Sequence, residues 1–134
     1  MAKPSSIIHP TAIVEDGAKI GNFCKIGPYC CIGSAVTLDD NVILESHVVI
    51  SGKTFIGKGT KVWSFASIGS DPQDLKYSGE KTTLTIGQNN LFRECVSISI
   101  GTAGGGGNTN IGDNCLFMLG SHVGHDCKLG NNIV

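Results

Sequence analysis

Large aliphatic residues recur at every sixth position along the first half of the chain. From Ile8 to Ile68, in steps of six, all eleven positions hold isoleucine, valine or leucine. A second column, four residues after each of the first ten, contains only small or β-branched residues. A period of six fits neither an α-helix nor a simple alternation, and it is typical of a repeat protein in which each hexapeptide is one structural unit.

Each hexapeptide is expected to form one short strand and one corner, and three of them close a triangular coil. The two apolar columns would stack inside the coils, while backbone hydrogen bonds run from coil to coil. The pattern therefore predicts an all-β fold, a parallel β-helix of about six coils. The period alone does not determine the hand of the helix. Glycine follows the aliphatic residue at five positions, where a tight corner favours a residue without a Cβ: Gly21, Gly27, Gly33, Gly57 and Gly69.

The repeat is interrupted twice. Between Gly69 and Thr85, Asp74 and Glu80 fall at positions that would point inward, so a first loop is expected to leave the wall there. A second break runs through Gly101–Gly107, after which the pattern returns one residue out of phase. We expect this glycine run to be flexible, because no strand–glycine–helix context supports a phosphate cradle.

Composition excludes several classes of protein. The 10 basic and 11 acidic residues give a net charge of −1, which provides no field for gathering nucleic acid. A nucleic-acid partner is therefore not expected. No apolar run approaches the ~18 residues of a membrane span, so no membrane span is expected either. The six cysteines form no CxxC pair, which favours reduced thiols and a cytoplasmic location.

Four cysteines fall in the small inward column and are predicted to pack in the core: Cys24, Cys30, Cys115 and Cys127. The other two, Cys31 and Cys95, fall outside this column and have no histidine or basic cluster beside them in the sequence. Nothing in the pattern indicates an activated thiolate at either position.

The segment from Ser121 to Cys127 groups several side chains that are able to take part in catalysis or metal binding. His122 and His125 flank an inward valine, so both are expected on the outer wall or its corner, where an imidazole suits a general base. Asp126 is placed to orient a histidine if the two meet across a corner. Two solvated surface histidines are an equally simple interpretation. A metal site formed with Cys127 lacks an evident fourth ligand.

The first loop is a second candidate, because insertions in solenoids often gather on a binding face. Asp74 is suited to accept hydrogen bonds from hydroxyl groups, and Lys76 is suited to meet a phosphate. The alternative is an ordinary solvated loop.

Four motifs together resemble one family of enzymes. They are Ile8–Ala12 (IHPTA), Gln73–Tyr77 (QDLKY), the run Gly104–Gly107 and His122–Cys127 (HVGHDC). In this order they are similar to the UDP-N-acetylglucosamine O-acyltransferases, the first enzymes of lipid A biosynthesis, within the hexapeptide-repeat acyltransferase superfamily. The resemblance implies a left-handed parallel β-helix and a homotrimer. It also implies transfer of an (R)-3-hydroxyacyl chain from acyl carrier protein to the 3-hydroxyl of UDP-N-acetylglucosamine, without a metal or bound cofactor.

The resemblance also implies roles for individual residues. His125 would be the catalytic base that removes the proton of the attacking hydroxyl, and Asp126 would steady its imidazole. His122 would help to line the cleft. Asp74 and Lys76 would hold the sugar and its charged attachments across a subunit interface, and Gln73 would make a weaker contact.

Two features depart from the family pattern. Ser99-Ile100 stand where family members usually have His-Arg after the aliphatic residue, which removes a ring nitrogen and a cation near the expected substrate path. Residues 1–134 are expected to form one β-helix domain of a longer protein, because the family continues with further coils and a helical domain. Two alternatives therefore stay open: a non-catalytic trimeric β-helix scaffold, or a hexapeptide acetyltransferase that uses acetyl-CoA.

Overall fold

The computed structural model describes residues 2–134 and contains eighteen short β-strands of two to four residues each. The strands follow one another around three faces, so that every third strand falls in the same sheet and pairs in parallel with its neighbours. The described residues include no helix, and therefore none that could span a membrane. Three six-stranded sheets correspond to six coils, which confirms the all-β parallel helix predicted from the repeat.

The first sheet contains β1 (Ile7–Ile8), β4 (Lys25–Ile26), β7 (Ile43–Leu44), β10 (Lys61–Val62), β13 (Leu91–Phe92) and β16 (Leu116–Phe117). The second contains β2 (Ile13–Val14), β5 (Cys31–Ile32), β8 (Val49–Ile50), β11 (Ser67–Ser70), β14 (Ser97–Ser99) and β17 (His122–Val123). The third contains β3 (Lys19–Ile20), β6 (Thr37–Leu38), β9 (Lys53–Ile56), β12 (Thr83–Ile86), β15 (Asn108–Ile111) and β18 (Lys128–Leu129).

The core lies inside the prism, because successive side chains of a strand point to opposite faces. In β4, for example, Lys25 is exposed while Ile26 is buried. The aliphatic column is buried from Ile20 to Ile68. Ile8 and Val14 belong to the same column but are only half-buried, because they lie in the first coil.

The cysteine column is buried with one exception. Cys24, Cys30 and Cys115 lie in the core as predicted, and burial raises the pKa of the Cys24 and Cys30 thiols. Cys127 is exposed, so the prediction that it packs in the core is wrong. It keeps the register of the column and lies beside β18, at the edge of the third sheet among the strands that the structure describes.

The corners between sheets leave little room for a side chain, and one of them shows why glycine follows the aliphatic residue. A Cβ on Gly57 would lie 2.3 Å from the carbonyl oxygen of Gly87 in the next coil. Since real Cβ atoms do not approach this closely, the two coils could stack at their normal separation only with glycine at this position.

Both interruptions of the repeat fall on the same edge of the prism, where the chain passes from the second sheet to the third. The first loop (residues 71–82) joins β11 to β12, and the second loop (residues 100–107) joins β14 to β15. The corner at residues 124–127 joins β17 to β18. Because these connections belong to successive coils about 4.8 Å apart, the fold places both loops and the His125-Asp126 pair side by side.

Candidate functional site

The second loop, expected from its glycines to be flexible, contains a hydrogen-bonded turn. The Thr102 carbonyl oxygen accepts from the backbone N–H of Gly107 at 2.7 Å and from that of Gly105 at 3.2 Å. Thr102 itself is buried. These bonds fold the glycine run back toward the corner that follows β17.

Asp126 receives three hydrogen bonds at this corner. The backbone N–H of Thr102 donates to Oδ1 at 2.8 Å, and the Thr102 hydroxyl donates to Oδ2 at 2.5 Å. The third partner is Nδ1 of His125, which lies 2.8 Å from Oδ2. The Asp126 side chain is 10% exposed and that of His125 is 35% exposed, so the pair sits at the surface with its carboxylate inward.

The corner explains how two adjacent residues can contact each other. In an extended strand the side chains of neighbours point to opposite faces. Asp126 has a φ of 65°, in the left-handed region, which breaks this alternation. Its backbone N–H donates to the Thr109 hydroxyl at 2.9 Å and thereby fixes the corner to the coil below.

Asp126 remains ionised over an extended pH range. Burial acts to raise the pKa of its carboxyl, but the bonds from the Thr102 hydroxyl, the His125 ring and the Thr102 N–H together hold the pKa below its ordinary value. An ionised carboxylate only accepts hydrogen bonds, so Nδ1 of His125 must be the donor when the ring is neutral. Nε2 is then the ring atom that can accept a proton.

The first loop is held by its own polar groups. The Asp74 carboxylate accepts from the backbone N–H of Lys76 at 2.9 Å, while the Asp74 carbonyl oxygen accepts from the N–H of Tyr77 at 3.0 Å. Glu80 accepts from the backbone N–H and hydroxyl of Ser78, and these bonds lower the pKa of the Glu80 carboxyl. The Tyr77 hydroxyl donates to the Glu80 carbonyl oxygen at 3.3 Å.

The two loops and the corner enclose a cleft of about 450 Å³, called here the loop cleft. It brings together three of the predicted residues, Asp74 and Lys76 of the first loop and His125, which is distant from both in the sequence. Sequence reasoning missed the contributions of Tyr77, Glu80 and Thr102. The full lining is Asp74, Lys76, Tyr77, Glu80, Thr102, Ala103, Gly104, Gly105 and His125.

Two predicted substrate residues lie outside the loop cleft. Gln73 is exposed on the first loop, and His122 is exposed on β17, where its Nδ1 lies 2.7 Å from the Ser97 hydroxyl. Ser99 and Ile100, which stand where the resemblance implies His-Arg, are both buried. The backbone N–H of Ile100 donates to the Ser70 carbonyl oxygen.

The surroundings of the four histidines differ, and His125 is held by a carboxylate. His9 contacts the Thr11 hydroxyl at 2.9 Å, and the His47 ring lies between two aromatic rings. His122 contacts a serine, as described above. Within residues 2–134, the His125 ring is the one that contacts a carboxylate. Over the same residues, no group of three histidine, cysteine or acidic side chains is arranged to hold a metal ion.

Comparison with known proteins finds similarity to bacterial transferases. Residues 17–52 match the bacterial transferase hexapeptide model, which describes six repeats. The acyl-[acyl-carrier-protein]–UDP-N-acetylglucosamine O-acyltransferase of Anaeromyxobacter sp. is 52% identical over 84 residues, which are 63% of this chain and 33% of that protein. The protein of the same name from Paracoccus denitrificans is 58% identical over 73 residues, 54% of this chain and 28% of the relative.

A solved structure extends the similarity to nearly the whole chain. The UDP-N-acetylglucosamine acyltransferase from Campylobacter jejuni superposes with a TM-score of 0.90 at 40% identity, over 94% of this chain and 49% of that one. This likeness confirms the left-handed parallel β-helix implied by the resemblance. The chain spans about a third of the curated relatives it matches and about half of the solved structures.

Proposed function

We propose that this chain, which matches the bacterial transferase hexapeptide model over residues 17–52, provides the general base of an acyltransferase acting on UDP-N-acetylglucosamine in lipid A biosynthesis. The substrates are those in the names of its relatives, acyl-[acyl-carrier-protein] and UDP-N-acetylglucosamine. The observation that supports the proposal most strongly is the contact between His125 and Asp126 at the loop cleft. An O-acyltransferase must deprotonate a hydroxyl group, and a carboxylate-held imidazole suits this task.

In the proposed reaction, the 3-hydroxyl oxygen of the glucosamine attacks the thioester carbonyl carbon of an (R)-3-hydroxyacyl chain on acyl carrier protein. His125 takes the hydroxyl proton at Nε2 as the new C–O bond forms. The tetrahedral intermediate then collapses, the C–S bond breaks, and the same proton passes to the departing thiolate. A positioned base of this kind contributes about 10²- to 10⁴-fold to the rate.

Asp126 has two tasks in this scheme. It accepts from Nδ1 of His125 and so keeps Nε2 unprotonated before the attack. It also stabilises the imidazolium that forms once the proton has moved. Because its hydrogen bonds hold the pKa of the Asp126 carboxyl below its ordinary value, the carboxylate is ionised at neutral pH.

We assign substrate contacts to the first loop. Asp74 and Lys76 line the same cleft as His125, so an acceptor for sugar hydroxyls and a cation for the diphosphate lie beside the base. Gln73 and His122 lie outside the cleft, and we propose that they contact substrate bound by a neighbouring subunit. This assignment requires the homotrimer that the resemblance implies.

Residues 1–134 would act as one β-helix domain in this enzyme, and the proposed location is the cytoplasm. All six cysteines are free, which agrees with a reducing compartment. Acyl carrier protein is the proposed acyl donor.

The proposal is tested by incubating the chain with UDP-N-acetylglucosamine and a series of 3-hydroxyacyl carrier proteins and detecting product by mass spectrometry. We expect product from the unaltered chain, loss of at least 10²-fold in His125→Ala, and normal rates in the distant control Thr54→Val. Equal rates in His125→Ala would contradict the assignment of the base.

Two further outcomes separate the alternatives. No product from the folded chain with any carrier species would contradict the proposal for this chain and favour a non-catalytic scaffold. Turnover of acetyl-CoA in the absence of carrier protein would instead indicate an acetyltransferase.

A further inference from the structure

We propose that the second loop is a clamp for the Asp126 carboxylate, and that Thr102 is a positioning residue that acts on His125 through this carboxylate. The inference rests on the proposed function, in which His125 is the base. The clamp's geometry is described by distances that do not depend on which reaction the base serves.

Thr102 binds both oxygens of the carboxylate. Its backbone N–H donates to Oδ1 at 2.8 Å and its hydroxyl donates to Oδ2 at 2.5 Å. Two donors from one residue fix the carboxylate plane, because rotation about the terminal bond of Asp126 would break both bonds. His125 meets the same Oδ2, so the plane set by Thr102 also sets the direction in which the His125 ring is held.

The direction of the Thr102 hydroxyl is determined by its other partner. The backbone N–H of Gly105, which is shared with the Thr102 carbonyl oxygen, also donates to this hydroxyl oxygen at 3.0 Å, so the oxygen is an acceptor on that side. The hydroxyl therefore donates its single hydrogen to the Asp126 carboxylate, which is ionised and cannot itself donate. Thr102 is buried, and water therefore competes little for either bond.

The glycines of the loop divide into those that the clamp requires and those that it does not. A Cβ on Gly105 would lie 2.0 Å from Oδ2 of Asp126, its nearest neighbour. A Cβ on Gly101 would first meet the backbone of Asn108 and Gly107, at 2.4 and 2.5 Å, and then Oδ1 of Asp126 at 2.8 Å. A Cβ on Gly104 or Gly106 would meet nothing within 4 Å. This difference between the glycines indicates that the loop is shaped around the Asp126 carboxylate.

The clamp matters because the loop cleft contains other charged groups. Asp74, Lys76 and Glu80 line the cleft together with His125. The carboxylates of Asp74 and Glu80 are alternative acceptors for an imidazole N–H, and pairing with them would turn the ring away from Asp126. A fixed Asp126 carboxylate selects one ring orientation and one neutral tautomer, with the proton on Nδ1.

Long-range 1H–15N correlation spectra of the chain labelled in its histidines report the tautomer directly. We expect the Nδ1–H tautomer at His125 in the unaltered chain, a mixture of tautomers in Thr102→Val, and restoration in Thr102→Ser, which keeps the hydroxyl. His122 is an internal reference, because its ring contacts Ser97 and not the clamp. Thr54→Val is the matched control for loss of a buried threonine hydroxyl, and it should leave His125 unchanged.

A pair of glycine variants tests the same clamp without removing a hydroxyl. Gly105→Ala should produce the mixed His125 signal, whereas Gly104→Ala should match the unaltered chain. Unchanged His122 signals in both variants will show that the coils are folded. An unaltered His125 tautomer in both Thr102→Val and Gly105→Ala would overturn the proposal.

Kinetics separates this inference from the proposed function. If both are correct, Thr102→Val lowers kcat by about 10- to 100-fold with little change in KM, and Thr102→Ser recovers most of the rate. If His125→Ala has normal activity while Thr102→Val still alters the His125 tautomer, the clamp exists and the proposed function is wrong. If His125→Ala is inactive and Thr102→Val has normal kcat and tautomer, the clamp inference alone fails.

Discussion

The regular wall of the prism and its interrupted edge are built by different rules. In the wall, a residue's place in the six-residue period determines whether it is buried, as the contrast between Lys25 and Ile26 shows. Along the edge between the second and third sheets, the loops leave the period, and their contacts depend on residues in other coils. The comparison teaches that the repeat provides a scaffold of fixed spacing, while the site is made where the repeat is broken.

The two histidines of one segment show the same contrast on a smaller scale. His122 lies on β17, follows the alternation of the strand and contacts Ser97 on the wall. His125 lies three residues later at the corner, where the left-handed φ of Asp126 lets the two side chains meet. The wall therefore presents His122 outward, and the edge places His125 in the loop cleft.

The largest loss of stability is expected when a buried aromatic side chain of the wall is truncated, in comparison with an exposed one. Phe92 is fully buried and stacks on Phe117 with ring centroids 4.9 Å apart, so Phe92→Ala should lower the free energy of unfolding by about 3–5 kcal/mol. The control is Phe65→Ala, since Phe65 is 61% exposed and its stack with His47 should contribute under about 1 kcal/mol. Urea denaturation measures both, and equal losses would contradict the internal stacking account.

An intermediate effect is expected at the edge, and it depends on pH. Asp126→Asn should lower the free energy of unfolding by about 1.5–3 kcal/mol at pH 7, because hydrogen bonds to an ionised acceptor are lost. The folded-state pKa of Asp126 is depressed, so its contribution is fully present above the ordinary pKa of about 3.9 and disappears as pH falls through the folded value. Urea denaturation of both proteins from pH 7 downward should show their difference shrinking in the acid range. A difference that stays constant with pH would show that the charge of Asp126 contributes nothing.

The smallest change in stability is expected for an exposed hydrogen bond of the wall, between β14 and β17. Ser97→Ala removes an exposed hydrogen bond to His122 and should change the free energy of unfolding by no more than about 0.5 kcal/mol. The His125 tautomer should be unchanged. If Ser97→Ala alters His125 as strongly as Thr102→Val does, the wall and the edge are coupled and the contrast between them fails.

The sequence predicts the fold well because each hexapeptide forms one side of a three-sided coil. Buried positions therefore recur every six residues. The aliphatic column, the two interruptions and the return one residue out of phase all follow from this geometry, and β12 pairs with β15 in that shifted register. Cys127 shows the limit of the period, which predicts the direction of a side chain but not whether another coil covers it.

The candidate site could be predicted only in part. The pattern marked His125, Asp126, Asp74 and Lys76 as chemical residues, but it gave no sign that Thr102 holds the carboxylate. That contact joins residues 24 positions apart, and it forms because a loop of one coil folds over the corner of the next. A short glycine run in an interrupted repeat looks like a flexible loop until its partner in the next coil is known.

The most direct test of the account is to map UDP-N-acetylglucosamine binding on the 134-residue chain by NMR. If the interrupted edge binds the ligand, the backbone signals of Lys76, Thr102 and Gly105 and the ring signals of His125 will shift, while those of the regular wall, such as Cys31 and Val49, stay unchanged. Shifts confined to the wall, or no shifts at saturating ligand in a folded chain, would contradict the claim that the interrupted edge is the functional site.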